Sequence, residues 1–269
     1  MDLLTLFLKT ILFRPYVFVF LVAFLFAAIK LIGWSRTWRF WLISWATAFV
    51  CEYSSTRNGI PFGWYHYNGS TLGQELYVSN IPFIDSISFS FLLYASYCVA
   101  LCLLLPIEQS SPAAQPLLKA LRFDLAARTR WSVLILTVGL FAFIDMVIDP
   151  VALRGDRWFL GKIYYYPDPG WHFGVPAANY AGWAVVGLIS LAIYFPLERQ
   201  LPHMILPASV TPRLMLGVGL YYGVLVFNLG MTFWIGEPFM GMSGLLMHLP
   251  VLILLMLRLA RSRSASPIE

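Results

Sequence analysis

Charged residues are scarce in this chain, and their scarcity fixes its broad class. Only 12% of the 269 residues are charged, 59% are hydrophobic, and the mean hydropathy is +0.74. Soluble domains carry about 25% charged residues, so the composition excludes a soluble globular domain and indicates a polytopic membrane protein. The formal net charge of +5 does not indicate a nucleic-acid partner, because the basic residues flank the apolar stretches.

Histidine and cysteine are also few, which narrows the possible chemistry. The four histidines, at positions 66, 172, 203 and 248, form no HxxxH or ExxH pair, so a histidine-rich di-iron oxygenase is disfavoured. The sequence contains no DDxxD motif, GxGxxG loop, Walker loop or nucleophile elbow. Of the three cysteines, Cys98 and Cys102 lie one helical turn apart, which is typical of buried packing residues. We therefore expect no metal and no cofactor.

Long apolar stretches are abundant and predict an all-α membrane bundle of about seven helices, since one span needs about 20 apolar residues. The predicted spans are Pro15–Gly33, Trp38–Tyr53, Pro82–Leu105, Trp131–Asp149, Ala178–Pro196, Leu214–Ile235 and Gly241–Ala260. The first lacks a small-residue cleavage site and is expected to be retained. We expect one domain over residues 1–261 and a disordered tail over 262–269.

The distribution of basic residues predicts an orientation. On one side of the predicted spans lie Lys9, Arg14, Arg57, Arg154, Arg157 and Lys162, and the other twelve Lys and Arg residues lie on the opposite side. The positive-inside rule then places the N-terminus outside and the C-terminus inside, in what we expect to be a bacterial inner membrane. On the basic side, the loop Ile107–Arg130 contains an amphipathic run that predicts an interfacial helix. Its lipid-facing residues would be Leu117, Leu118, Leu121 and Leu125.

Two loops on the less basic side are rich in glycine, proline and aromatic residues. They are Ser54–Asn80 and Arg154–Ala177. Glycine and proline make sharp turns, and the aromatic side chains are costly to leave in water. We expect both loops to fold back and cap the mouth of the bundle.

The segment FAFIDMVIDP places Asp145 and Asp149 four residues apart within a predicted span, on one helical face. An ionised aspartate in hydrocarbon costs at least about 2.5–3.5 kcal/mol, so the pair indicates a functional pocket. Other polar residues fall in the same half of the membrane. They are Glu52, Asp85, Asn179, Asn228, Glu237 and His248. The sequence therefore predicts one polar cavity that opens toward that leaflet.

Each of these residues also has a simpler interpretation. Glu52 and Asp85 can lie at the headgroup level, and Asn179 can be a helix N-cap. His248 can be an ordinary bundle histidine, and Glu237 can be solvated. The tryptophans and tyrosines of the loops can form an aromatic belt.

The chemistry that such a cavity favours is acid–base catalysis on an apolar substrate. Two carboxyl groups close together in a dry pocket share a proton, and the protonated one acts as a general acid. It can protonate an electron-rich alkene and leave a tertiary cation, which aromatic faces and the remaining carboxylate stabilise. A positioned water, deprotonated by another carboxylate, can then capture the cation.

Three stretches resemble the integral-membrane carotenoid hydratase family, which includes bisanhydrobacterioruberin hydratase and the lycopene and γ-carotene 1,2-hydratases. They are Glu52 with NGIPFGWYHY (Asn58–Tyr67), DMVIDPVAL (Asp145–Leu153) and GWHFGVPAANYAGW (Gly170–Trp183). The resemblance implies a hydro-lyase of carotenoid biosynthesis that gives a tertiary alcohol. One departure is IDSISF at the start of the third span, which places Asp85 where the family has a Pro-Leu-Ser-Trp-like sequence.

From these arguments we expect Asp145 or Asp149 to donate the proton, with the other as its charge partner, and Glu52 to act as the base for water. The substrate-binding candidates are Trp64, Tyr65, Tyr67, Asp85, Trp171, Asn179 and Trp183. The expected partners are an acyclic carotenoid or other polyisoprenoid, membrane lipid and other carotenoid biosynthesis enzymes. Two alternatives stay open: a cyclase or isomerase that uses the same cation, and a non-catalytic pigment- or lipid-binding membrane protein.

Overall fold

The computed structural model describes residues 3–106, 121, 123–201 and 211–260, which form an all-α bundle around one hydrophobic cluster. The helices are α1 (Leu3–Phe13), α2 (Pro15–Ile32), α3 (Trp34–Asn58), α4 (Phe83–Leu104), α5 (Leu125–Arg128), α6 (Trp131–Ala152), α7 (Ala177–Arg199), α8 (Thr211–Trp234) and α9 (Pro238–Ala260). The strands are β1 (His66–Tyr67), β2 (Tyr77–Val78), β3 (Ile81–Pro82) and β4 (Tyr164–Tyr165).

Six helices in the described part of the chain, α2, α4, α6, α7, α8 and α9, are long and apolar enough to cross a membrane. The polytopic helix bundle expected from the composition is therefore confirmed. Helix α3 contains the short predicted span Trp38–Tyr53 and extends it to 25 residues. Polar residues such as Arg36, Arg39 and Glu52 keep its hydropathy below that of the other six, so the count of seven spans stays a prediction.

Helix α4 lies at the centre of the bundle, where it contacts α2, α3, α6, α8 and α9. Most of its residues are buried, on all faces of the helix. Close approach to α8 depends on Gly217, because a Cβ atom there would lie 2.2 Å from Cys98 Sγ. This central position brings the first turn of α4, with Asp85, into the interior of the bundle.

The two aromatic loops meet in a short antiparallel ribbon. Strand β1 pairs with β4, so that His66 lies opposite Tyr165 and Tyr67 lies opposite Tyr164. The first loop also packs on α7, where a Cβ atom at Gly182 would lie 2.2 Å from Phe62 Cδ1. Glycine at position 182 therefore allows the loop to approach the bundle.

Buried ion pairs fasten both ends of the bundle. Arg14, just before α2, pairs with Glu75 of the first loop at 2.8 Å and donates to the carbonyl oxygen of Leu160 in the second at 2.5 Å. Toward the other end, Glu198 accepts hydrogen bonds from Arg36 and Arg128, each at 2.7 Å. Arg14 thus holds both aromatic loops against the start of α2.

The predicted interfacial helix is only partly within the described residues, and there the prediction is wrong for Leu121. That side chain is buried, and Leu125 is half-buried rather than lipid-facing. The reason is that α5 is one short turn held against the bundle by Tyr97, which donates to the carbonyl oxygen of Arg128 at 3.0 Å. Leu117, Leu118 and the predicted disordered tail at 262–269 lie outside the described residues.

Candidate active site

The aspartate pair of α6 is buried and shares one amide. Asp145 and Asp149 lie one turn apart on the same face, and Asn179 Nδ2 of α7 donates to Asp145 Oδ2 at 2.7 Å and to Asp149 Oδ2 at 2.8 Å. Tyr164 and Tyr166 also donate to Asp149, at 2.8 and 2.6 Å. Asp149 therefore receives three hydrogen bonds, whereas Asp145 Oδ1 is buried and has no partner among the residues described.

A second carboxyl pair, Glu52 of α3 and Asp85 of α4, is bridged by a phenol. The hydroxyl of Tyr67 lies 3.2 Å from Glu52 Oε1 and 2.5 Å from Asp85 Oδ2. Ser86 Oγ donates to the other oxygen of Glu52. Glu52 is only 2% exposed, so these short-range donors replace the water that it loses on burial.

Two of the tyrosines that reach these carboxyl groups, Tyr67 and Tyr164, belong to the β1·β4 ribbon, and the third, Tyr166, directly follows β4. Side chains alternate along a strand, so Tyr164 and Tyr166 face inward while Tyr165 between them is 43% exposed. Burial raises the pKa of Tyr67, Tyr164 and Tyr166 well above the usual range of a phenol, and the neighbouring carboxyl groups raise it further. The three phenols therefore stay protonated and act as hydrogen-bond donors.

Two adjoining spaces meet at this site. The polar pocket, of about 40 Å³, is lined by Glu52, Phe62, Tyr65, Tyr67, Asp85, Phe89, Asp149, Tyr164, Tyr166, Asn179 and Trp183. The apolar cavity, of about 100 Å³, is walled mainly by aliphatic and aromatic residues of α2, α4, α6, α8 and the second loop. The two share as lining Asp85, Phe89, Asp149, Tyr164 and Trp183. An apolar group in the cavity would thus face carboxyl groups that also line the polar pocket.

The structure brings together most of the residues that the sequence predicted for the site. Those that line the polar pocket are Glu52, Tyr65, Tyr67, Asp85, Asp149, Asn179 and Trp183. Asp145 lines neither space and is linked to the polar pocket through its hydrogen bond from Asn179. Trp64 and Trp171 also line neither space and are 51% and 74% exposed, because they lie on the outer side of the loops.

The other polar residues that the sequence analysis assigned to the same half of the membrane do not all line one cavity. Asn228 lines the apolar cavity, whereas Glu237 pairs with Arg154 and Arg157 at the surface. His248 packs against Phe143 with ring centroids 4.4 Å apart, as the simpler interpretation of a bundle histidine expects. The N-cap interpretation of Asn179 is wrong, because the N-cap of α7 is Pro176 and the Asn179 amide binds the aspartates.

Sequence reasoning missed Tyr164, Tyr166 and Ser86. The sequence marks the run Tyr164–Tyr166 only as part of an aromatic loop. In an extended segment the first and third of these tyrosines point to the same side. That inference could be made only if the segment were already known to be extended. Ser86 follows Asp85 directly and carries no signal of its own.

Taken together, the helices and the site define a multi-pass membrane protein with buried carboxyl groups beside an apolar cavity. Residues 13–250 match the model of the family described as "Carotenoid biosynthesis protein", so the chain belongs to that family. No curated protein and no solved structure matches the chain significantly. Within the described ranges, no group of three or more His, Cys, Asp or Glu residues is arranged to hold a metal ion.

Proposed function

We propose that this protein adds water across the terminal double bond of an acyclic, lycopene-like carotenoid end and forms a tertiary alcohol without a metal or cofactor. Its family supports an isoprenoid substrate. The observation that carries the proposal is that Asp149 and Asp85 line both the polar pocket and the apolar cavity. An alkene in the cavity would therefore lie next to an acid and next to a space for water.

The first step is proton transfer from the Asp149 carboxyl group to the alkene. The C=C π pair forms the new C–H bond, and a tertiary cation is left on the other carbon. The alkene is a weak base, so transfer depends on stabilising the carboxylate that remains. Tyr164, Tyr166 and Asn179 each donate to Asp149 and would do this. Asp145, which shares Asn179 with Asp149, is the charge partner of the acid.

The second step is capture of the cation by water. The water oxygen forms the new C–O bond, and the proton it releases passes to Glu52. Return of a proton from Glu52 to the Asp149 carboxylate, across the polar pocket that both line, restores the two groups for the next turnover. The polar pocket, at about 40 Å³, exceeds the roughly 10–15 Å³ that one water needs and offers it several polar partners. Tyr65 and Asn179 line the same pocket and would position the water. Trp183, stacked on Phe89 at 4.2 Å, presents an aromatic surface to the cation.

The room for water favours hydration over the cyclase or isomerase alternative, in which the cation would lose a proton instead. The non-catalytic alternative differs in its need for the acid. If the protein only binds pigment, an amide of the same shape in place of Asp149 removes the acid but can still hydrogen-bond to its neighbours, so function should be unchanged.

The test is expression in bacteria that accumulate lycopene, followed by liquid chromatography and mass spectrometry of the pigments. We expect a product heavier by one water, whose oxygen comes from labelled water, and its loss in Asp149→Asn. Asp168→Asn, an exposed aspartate of the second loop, is the matched control and should keep full activity. A product of unchanged mass would instead establish the cyclase or isomerase, and a hydrated product in Asp149→Asn would overturn the acid role.

A further inference from the structure

The apolar cavity is too small for a whole carotenoid. Its volume of about 100 Å³ is below the roughly 300–1,000 Å³ of pockets that enclose drug-sized ligands, and a carotenoid chain is longer than such ligands. The cavity can therefore receive one end of the chain, while the remainder lies outside the bundle. Where the chain emerges is set by which wall of the cavity reaches the outer surface.

One wall is formed by three aromatic side chains that line the cavity and are also partly exposed. Tyr16 and Phe20 come from α2, one turn apart, and Phe227 comes from α8. The rings of Tyr16 and Phe227 are stacked with centroids 5.2 Å apart, and Phe20 meets Phe227 edge-on at 5.6 Å. We call these three residues the aromatic wall. Because each of the three side chains lines the cavity and is also partly exposed, this wall reaches the outer surface of the bundle.

The surface outside the aromatic wall is apolar. Val19 and Val22 of α2 are each 64% exposed, and Val226, the neighbour of Phe227 on α8, is 65% exposed. Both helices are among those long and apolar enough to cross a membrane, so these side chains face lipid. A hydrocarbon chain that leaves the cavity between α2 and α8 thus passes directly into a hydrocarbon environment and exposes no apolar surface to water.

We propose that the polyisoprenoid chain of the substrate passes through the aromatic wall between α2 and α8, with its reacting end at Asp149 and its remainder in the membrane. The inference rests on the proposed function for the identity of the substrate. It assigns Tyr16, Phe20 and Phe227 to a binding site for the chain, separate from the acid–base groups. Aromatic faces suit this task because they contact a conjugated chain over a large apolar area.

The direct test is photocrosslinking in membranes that contain lycopene. A photoreactive phenylalanine analogue replaces Phe20 or Phe227, and in matched controls it replaces Val19 or Val226, the lipid-facing neighbours. Asp149→Asn is included in every variant so that bound substrate is not consumed. We expect the ratio of lycopene adduct to phospholipid adduct to be about tenfold higher at positions 20 and 227 than at 19 and 226, a difference of about 1.4 kcal/mol in occupancy.

Equal ratios at all four positions would overturn the proposal, and phospholipid adducts in the controls would confirm that the variants are inserted. A steric test is independent of crosslinking. Phe20→Trp should raise the KM for lycopene about tenfold, since a larger ring obstructs the wall, whereas Val19→Trp should not change it. If the adducts are enriched but the unsubstituted chain forms no hydrated product, the hydratase proposal is refuted. The proposal of a binding site for the chain is then still supported.

Discussion

The four carboxyl groups of the site differ in the number of hydrogen-bond donors that reach them. Asp149 receives three, from Asn179 and two tyrosines, and Glu52 is reached by Ser86 and Tyr67. Donors of this kind stabilise the anion that is left when a proton departs. Under the proposed function, we therefore expect Asp149 rather than the more deeply buried Asp145 to donate the proton.

This division of roles gives a prediction for the proposed base. In Glu52→Gln, Asp149 can still protonate the alkene, but the proposed acceptor for the proton of the attacking water is gone. We expect hydrated product to fall by about 10²–10⁴-fold. The cation would return its proton to Asp149, so deuterium from heavy water should still enter the end group of the recovered lycopene.

Mass spectrometry of the recovered pigment checks both effects at once. Asp149→Asn should lose deuterium exchange together with hydration, because it removes the acid itself. Glu237→Gln, at the surface and away from both cavities, serves as the control and should behave as the unsubstituted chain. Full hydration by Glu52→Gln would show that another group accepts the proton.

At the scale of elements, the β1·β4 ribbon converts two loops into one scaffold for both carboxyl pairs. Tyr67 of β1 reaches Glu52 and Asp85, while Tyr164 of β4, paired with it, reaches Asp149. The ribbon thus adds side-chain links among α3, α4 and α6 to the direct contacts that α4 makes with the other two. A change on its inner face should alter catalysis more than stability.

The alternation of β4 supplies a matched series of variants. Tyr164→Phe and Tyr166→Phe each remove one donor to Asp149, and we expect turnover to fall about ten- to a hundredfold, as for a lost hydrogen bond of about 1.5–3 kcal/mol to a charged group. Tyr165→Phe, between them, loses only an exposed hydroxyl and should keep normal turnover. Pigment analysis of the three strains measures this, and equal losses in all three would mean a general effect on folding.

The elements differ in how far the sequence could predict them. The long apolar helices follow from hydropathy, and the one-turn spacing of Asp145 and Asp149 placed both on one face. The ribbon could not be predicted, because strands of two residues have no measurable period and their pairing joins residues about a hundred positions apart. Trp64 and Trp171 looked like site residues because they belong to these loops, but composition does not show which side of a loop faces inward.

At the scale of the whole molecule, individual ion pairs lie in different environments. Glu198 is buried with Arg36 and Arg128, whereas Glu237 is partly exposed with Arg154 and Arg157. Removing the carboxylate from a buried pair leaves buried charge behind and costs about 3–5 kcal/mol, whereas an exposed pair contributes about 0–1 kcal/mol. We expect Glu198→Gln to lower the free energy of unfolding accordingly and Glu237→Gln to change it little, as measured by denaturation in detergent.

The Glu237 pair also has a pH dependence with a defined sign. The hydrogen bond from Arg157, with the nearby charge of Arg154, lowers the pKa of Glu237 below its ordinary value of 4.5. Its small contribution is therefore present above that value and disappears as the pH falls through the lowered pKa. Any acid-dependent loss of stability that persists in Glu237→Gln has another origin.

The orientation predicted from basic residues can be tested with single cysteines. The three native cysteines are buried, so we expect the maleimide to label them little. With the N-terminus outside and the C-terminus inside, Asp168→Cys in the second loop should react with a membrane-impermeant maleimide in intact cells. Gln200→Cys, after α7, should react only after lysis; the reverse pattern would invert the topology.

Arg14 has a consequence for the order of events during synthesis. Its guanidinium is fully buried, and it binds Glu75 and the carbonyl oxygen of Leu160. When the first helices leave the ribosome, neither partner exists yet, and an unpaired arginine is costly in hydrocarbon. We therefore expect the start of α2 to stay hydrated until Leu160 has been synthesised, and this part of the chain to reach its final position late.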